Sequence, residues 1–167
     1  MNLRLAIIAL FLGLIPSTII SEELQVSRVV VYKEDRELHV CAGDSVLKRY
    51  RIALGKDPTG HKREEGDSRT PEGRYLLDWR NRKSKYHLSI HISYPNESDR
   101  KQAKERGVSP GGDIMIHGFP DGEYESYWSR YWFLGRDWTD GCIAVANEAI
   151  EEIWRLVPDG TPIDILP

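Results

Sequence analysis

The chain has 167 residues, 29% of them charged, and a formal net charge of −3. That length fits one domain around one core. The balance excludes a nucleic-acid binder, which needs a basic excess, and no run of like charge is long enough to act as a tail.

The first residues differ from the rest. Arg4 precedes a nearly all-apolar stretch from Leu5 to Ile15, and Pro16-Ser17-Thr18 leads to a polar junction at Ser21-Glu22-Glu23. A charged start, an apolar stretch of about ten residues and a polar junction describe a secretory signal. A spanning helix needs roughly 20 apolar residues. We expect a signal over 1–21 with cleavage near Ser21; the alternative is an uncleaved signal anchor. In both cases residues 22–167 form the domain, which lies outside the cytoplasm, in the periplasm or cell envelope.

From Gln25 the pattern is strand-like. Val29 to Tyr32, Leu38 to Val40 and Val46 to Leu54 read as three antiparallel strands, with turns at Glu34-Asp35-Arg36 and Ala42-Gly43-Asp44. Gly55 to Gly73 is a loop, dense in turn formers at both ends. Tyr75-Leu76-Leu77 resumes strand character. Tyr86 to Tyr94 alternates, with Leu88, Ile90 and Ile92 on one face and His87, Ser89, His91 and Ser93 on the other. Ser98 to Arg106 reads as a short polar helix, with Ser98 as N-cap and Gly107 as its stop.

An apolar strand follows Pro110-Gly111-Gly112 and ends at His117. Gly118 to Asp137 is a long connection rich in aromatic residues. Its stretch Tyr124 to Trp138 is either a lid over a cleft or a loop stapled down by its own rings. The last helix spans Asn147 to Val157, with Asn147 as N-cap and an apolar face of Ile150, Ile153, Trp154 and Val157. Thr161 to Leu166 alternates as a final strand. The sum is a mainly β single domain with a few short helices.

Cys142 follows a glycine at the edge of an apolar run. Gly141 lets the chain turn sharply and lets a substrate carbonyl approach backbone N–H groups. The N–H of Cys142, with that of Gly141 or Asp140, can form an oxyanion hole. A thiolate held by N–H groups or near a helix start has a lowered pKa. His117 ends an apolar strand, where a sheet can fix its ring, and Gly118 leaves space beside it. A neutral imidazole there can take the Cys142 proton.

The competing pairings are weaker. Cys41 can be an inert buried thiol or a disulfide partner of Cys142; two separate thiols are expected. His39 and Cys41 share a strand face but lack a glycine turn. His87 and His91 lie about 13 Å apart along a strand, too far to chelate one metal unaided. His61 is expected to be solvated. No metal and no cofactor are expected, since thiol, imidazole and backbone donors suffice.

The segments His117-Gly118, Thr139-x-Gly141-Cys142 and Asn147 resemble the L,D-transpeptidase catalytic-domain (YkuD-like) family. So do Gly66-Asp67-x-Arg69-Thr70-Pro71-Glu72-Gly73-x-Tyr75 and Ile92-Ser93-Tyr94-Pro95-Asn96. The similarity runs from about Val29 to Leu166. It implies a mixed β-sandwich or barrel domain working on peptidoglycan stem peptides. It also implies that Cys142 attacks the third stem residue's carbonyl, with His117 as base and Gly141 at the turn. The fourth residue leaves, and an amine takes the acyl group from the thioester. That acceptor is a second stem or a wall-attached protein.

Thr139, Asp140, Gly118 and Arg69 are the expected substrate contacts. Asp140 and Ala144 stand where the family often has His and Arg. Arg69, Arg130 or Arg136 can replace the missing cation by gripping a stem carboxylate. The rivals are a carboxypeptidase or wall-protein-releasing hydrolase using the same site, and a non-catalytic wall-binding domain.

Overall fold

The computed structural model describes residues 25–120 and 127–167. The segment 1–21, Tyr124 and the Arg130 side chain lie outside the described residues. The described chain forms one mixed sheet of eight strands with three short helices.

Three antiparallel strands open the fold, as the alternation predicts: β1 (Arg28–Tyr32), β2 (Glu37–Ala42) and β3 (Ser45–Arg51). They are followed by β4 (Gly73–Ser84), β5 (His87–Ile92), β6 (Met115–His117), β7 (Ile143–Ala144) and β8 (Thr161–Leu166). The spatial order is β3-β2-β1-β8-β4-β5-β6-β7. β8 lies parallel to β1 and antiparallel to β4, at the centre. Beyond β3 the chain reaches the opposite edge, where Ala53 N–H donates to Ala144 O (2.9 Å) and Ala144 N–H to Ala53 O (2.8 Å). The two edges therefore meet and the sheet curls on itself.

The helices are α1 (Glu97–Arg106), α2 (Tyr127–Leu134) and α3 (Asn147–Leu156). α3 turns Ile150 and Ile153 into the core against β5 and β6, as its spacing predicts. α1 is capped by Asn96, not Ser98. Its side chain accepts from Asp99 N–H while Asp99 accepts from Asn96 N–H, a reciprocal box that Ser98 cannot make. α2 lies inside the aromatic connection that reads as irregular in sequence. Phe133 staples it to the body, stacking on Phe119 at 5.2 Å and meeting Trp138 edge-on at 5.2 Å.

The loop 55–73 is held by two buried lysines. Lys33 Nζ donates to Gly60 O (2.7 Å), Thr70 O (3.1 Å) and Glu72 Oε1 (2.8 Å), so all three of its protons find acceptors. Lys62 Nζ donates to Asp67 (2.7 Å) and Glu64 O (3.0 Å). The loop backs onto Gly55, where an added Cβ would lie 2.0 Å from Ser68 O. Gly55→Ala is expected to destabilise the fold by about 3 kcal/mol, a Tm fall of roughly 10 °C in thermal unfolding. An unchanged Tm would mean that this packing is not as tight as described.

Candidate active site

β6 and β7 run parallel, with Ile116 paired to Ile143 and His117 to Ala144. Cys142, just before β7, therefore sits level with Met115, two residues short of His117 on the neighbouring strand. Both side chains line one cleft of about 660 Å³. Cys142 and His117 thus line the same hollow, and both cysteines are free thiols.

The imidazole is fixed in one tautomer. His117 Nδ1 lies 2.5 Å from Gly118 O. A carbonyl only accepts, so Nδ1 carries the proton and Nε2 keeps its lone pair. The rings of Tyr86 (4.6 Å) and Trp138 (5.7 Å) flank it. His117 is only 4% exposed, and this burial pushes its pKa down to about 4. His117 is neutral at physiological pH.

Gly118 is positioned in turn by Asn147. That side chain's Oδ1 accepts from Phe119 N–H (2.8 Å), and an added Cβ on Gly118 would meet it at 2.6 Å. Asn147 is therefore not the N-cap of α3; Ala146 holds that position without a side-chain bond. Asn147 ties the start of α3 to the segment whose carbonyl orients the imidazole. An added Cβ on Gly118 would also meet His87 Cβ and Tyr86 O, each at 3.0 Å.

The cysteine turn is built around Gly141, at φ +127. A Cβ there would meet Arg69 O at 2.7 Å. Only glycine suits both this conformation and this contact. Thr139 clamps the turn: its Oγ1 donates to Cys142 O (2.7 Å) and accepts from Gly141 N–H (3.2 Å). The Gly141 N–H is therefore occupied. The N–H groups of Asp140 and Cys142 have no acceptor among the described residues and remain as oxyanion donors.

The thiol departs from expectation. Sγ accepts from Met115 N–H (3.4 Å) and donates to Asp113 O (3.6 Å). Burial pushes the Cys142 pKa above the ordinary thiol value, and the Asp140 and Asp113 carboxylates add to this against one N–H contact. α3 begins only at Asn147, beyond β7. The resting pair is a neutral thiol beside a neutral imidazole. Iodoacetamide modification of Cys142 should therefore rise with pH through a midpoint above about 8.5, the free-thiol value. A midpoint near 6 would contradict this environment.

The remaining expected contacts divide. Asp140 is exposed, and Lys56 (2.8 Å) and Ser68 (3.4 Å) hold it; Lys56 keeps its carboxyl below the usual range. Arg69 does not line the cleft: its guanidinium is bound by Asp57 at 2.9 Å. Arg136 stacks on Trp132 at 3.3 Å. Among the described residues, the cations that do line the cleft are Lys56, Lys83 and Lys85. Lys83 and Lys85 escape sequence reading because β4 reads as ending near Leu77.

The competing groups are engaged elsewhere. His39 meets Glu37 (2.7 Å), His87 meets Glu151 (2.8 Å) and His91 meets Asp78 (2.6 Å). His61 is not simply solvated. It accepts from Glu72 N–H (2.9 Å) and lies 3.2 Å from Asp99.

Residues 27–165 match the model of the L,D-transpeptidase catalytic domain (YkuD). YafK of Escherichia coli (strain K12) is 30% identical over 135 residues, covering 77% of this chain and 46% of that protein. The helical cell shape determining protein Pgp2 from Campylobacter jejuni superposes with a TM-score of 0.59 at 27% identity, over 84% of this chain and 47% of Pgp2. Bd1075 of Bdellovibrio bacteriovorus superposes with a TM-score of 0.57 at 26% identity, over 86% of this chain and 51% of Bd1075. The chain thus spans about half the length of these relatives. With the matched model covering most of its length, the chain belongs to the L,D-transpeptidase catalytic-domain family.

Proposed function

We propose that this chain is a cysteine acyltransferase acting on peptidoglycan stem peptides. The observation that carries this is the fixed tautomer of His117, which leaves Nε2 as a base in the cleft that holds Cys142 Sγ. Burial raises the thiol pKa above the ordinary thiol value and holds the imidazole down near 4, so both groups rest neutral. A preformed thiolate–imidazolium pair is disfavoured, because burial opposes the charged form of both groups. Proton transfer therefore accompanies attack rather than preceding it.

In the first step Sγ bonds to the carbonyl carbon of the third stem residue, and its proton passes to Nε2. The carbonyl oxygen becomes an oxyanion facing the N–H groups of Cys142 and Asp140. The imidazolium then gives its proton to the departing amine of the fourth residue, and a thioester remains. In the second step an acceptor amine loses a proton to Nε2 and attacks the thioester. The acyl group leaves on the amine, and the thiol is restored.

Water in place of the amine yields a shortened stem from the same thioester. Analysis of muropeptide products by mass spectrometry separates the two outcomes. New crosslinks or peptide–protein conjugates are expected; shortened stems alone would make the chain a carboxypeptidase or releasing hydrolase. The leader-like segment 1–21 supports action in the periplasm or cell envelope. The likeness to Pgp2, a cell shape determining protein, supports a role in shaping the wall.

A further inference from the structure

The β4–β5 hairpin carries more positive charge than the fold needs. Residues 80–85 read Arg-Asn-Arg-Lys-Ser-Lys, and the strand pleat divides them. Arg80 turns to α3, bonding Trp154 O, Val157 O and Asp159 while lying 4.8 Å over the Trp154 ring. Arg82 lies over the same ring at 5.4 Å. Lys83 and Lys85, two residues apart, face the cleft instead. The neighbouring tip residue Tyr86 packs on His117, which brings the hairpin up to the reacting groups.

Among the described residues, the charges lining the cleft do not cancel. Lys56 is paired with Asp140 at 2.8 Å. His117 is neutral. Among the described residues neither Lys83 nor Lys85 has a carboxylate partner, which leaves two ammonium groups facing the one carboxylate of Asp113. A peptide lying between the hairpin and the cysteine turn therefore meets a positive wall.

We propose that Lys83 and Lys85 bind a carboxylate of the acyl-donor peptide, so that the cleft selects donors with a free carboxylate near the scissile carbonyl. This rests on the wall-peptide function proposed above. Two ammonium groups on flexible stems act as point charges without the fixed fork of an arginine. They are exposed, so the effect is modest and salt-sensitive.

The test compares two stem tetrapeptides, one with the third residue's side-chain carboxylate free and one with it as carboxamide. Wild type, a Lys83→Gln/Lys85→Gln variant and a Lys83→Arg/Lys85→Arg variant are assayed on both, with thioester formation followed by intact mass in the same samples. The Gln variant should raise KM for the free acid by about tenfold, with kcat within about threefold and no change on the carboxamide. The Arg variant should keep the wild-type preference. Equal wild-type KM for both donors, or an equal loss on both in the Gln variant, would overturn the inference while thioester formation upheld the wall-peptide function. Wild type forming no thioester with either peptide would overturn both.

Discussion

Alanine in place of Cys142 is expected to remove turnover of stem peptides, by at least about 10⁴-fold in kcat, without unfolding the domain. The sulfur makes two polar contacts, to Met115 N–H and Asp113 O, at the wall of an open cleft. Water can replace both, so Tm should move by no more than about 3 °C. Peptide binding should persist, because the cleft walls are untouched. Cys41, buried in β2 away from the cleft, is the control: Cys41→Ala should leave kcat unchanged. Unchanged wall activity in Cys142→Ala would favour a binding domain that has no use for the thiol.

His117→Asn is expected to lower kcat/KM by about 10²- to 10⁴-fold. The asparagine amide can still donate to Gly118 O, so the variant removes the base at Nε2 while keeping the contact at Nδ1. The variant also has a signature in stability. Folded His117 titrates at about 4 and an unperturbed imidazole near 6.5. Below 6.5 the unfolded chain takes up a proton that the folded chain refuses. The stability held above that pH is therefore lost as pH falls toward 4, by about 3 kcal/mol. In denaturant titrations at pH 7 and pH 4, His117→Asn should lose less stability than wild type by about that amount. Wild-type activity in this variant would exclude His117 as the base.

That Cys142 and His117 are the candidate residues of one cleft is legible because the glycine before Cys142 and the strand before His117 are local signals. β1 to β3 and the buried face of α3 were legible for the same reason, through alternation and i, i+3, i+4 spacing. The extension of β4 was not. Its residues from Arg80 to Ser84 are polar on both faces because one face meets α3 through Arg80 and the other meets the cleft through Lys83. Charge on both faces hides the period that apolar residues reveal. Asn147 and Thr139 stood out in the sequence, but their roles depend on partners far along the chain or across a tight turn. Asn147 serves Phe119 N–H, and Thr139 closes the turn on Cys142 O. The raised thiol pKa was hidden too, since it follows from burial by segments distant in sequence.

Intact-protein mass spectrometry after incubation with a stem tetrapeptide tests the central claim most directly. The account predicts a mass increase equal to the tripeptide acyl group, mapped to Cys142, missing in Cys142→Ala and slow to form in His117→Asn. Consumption of the tetrapeptide with Cys142 never modified, or an adduct mapped to Cys41, would contradict it.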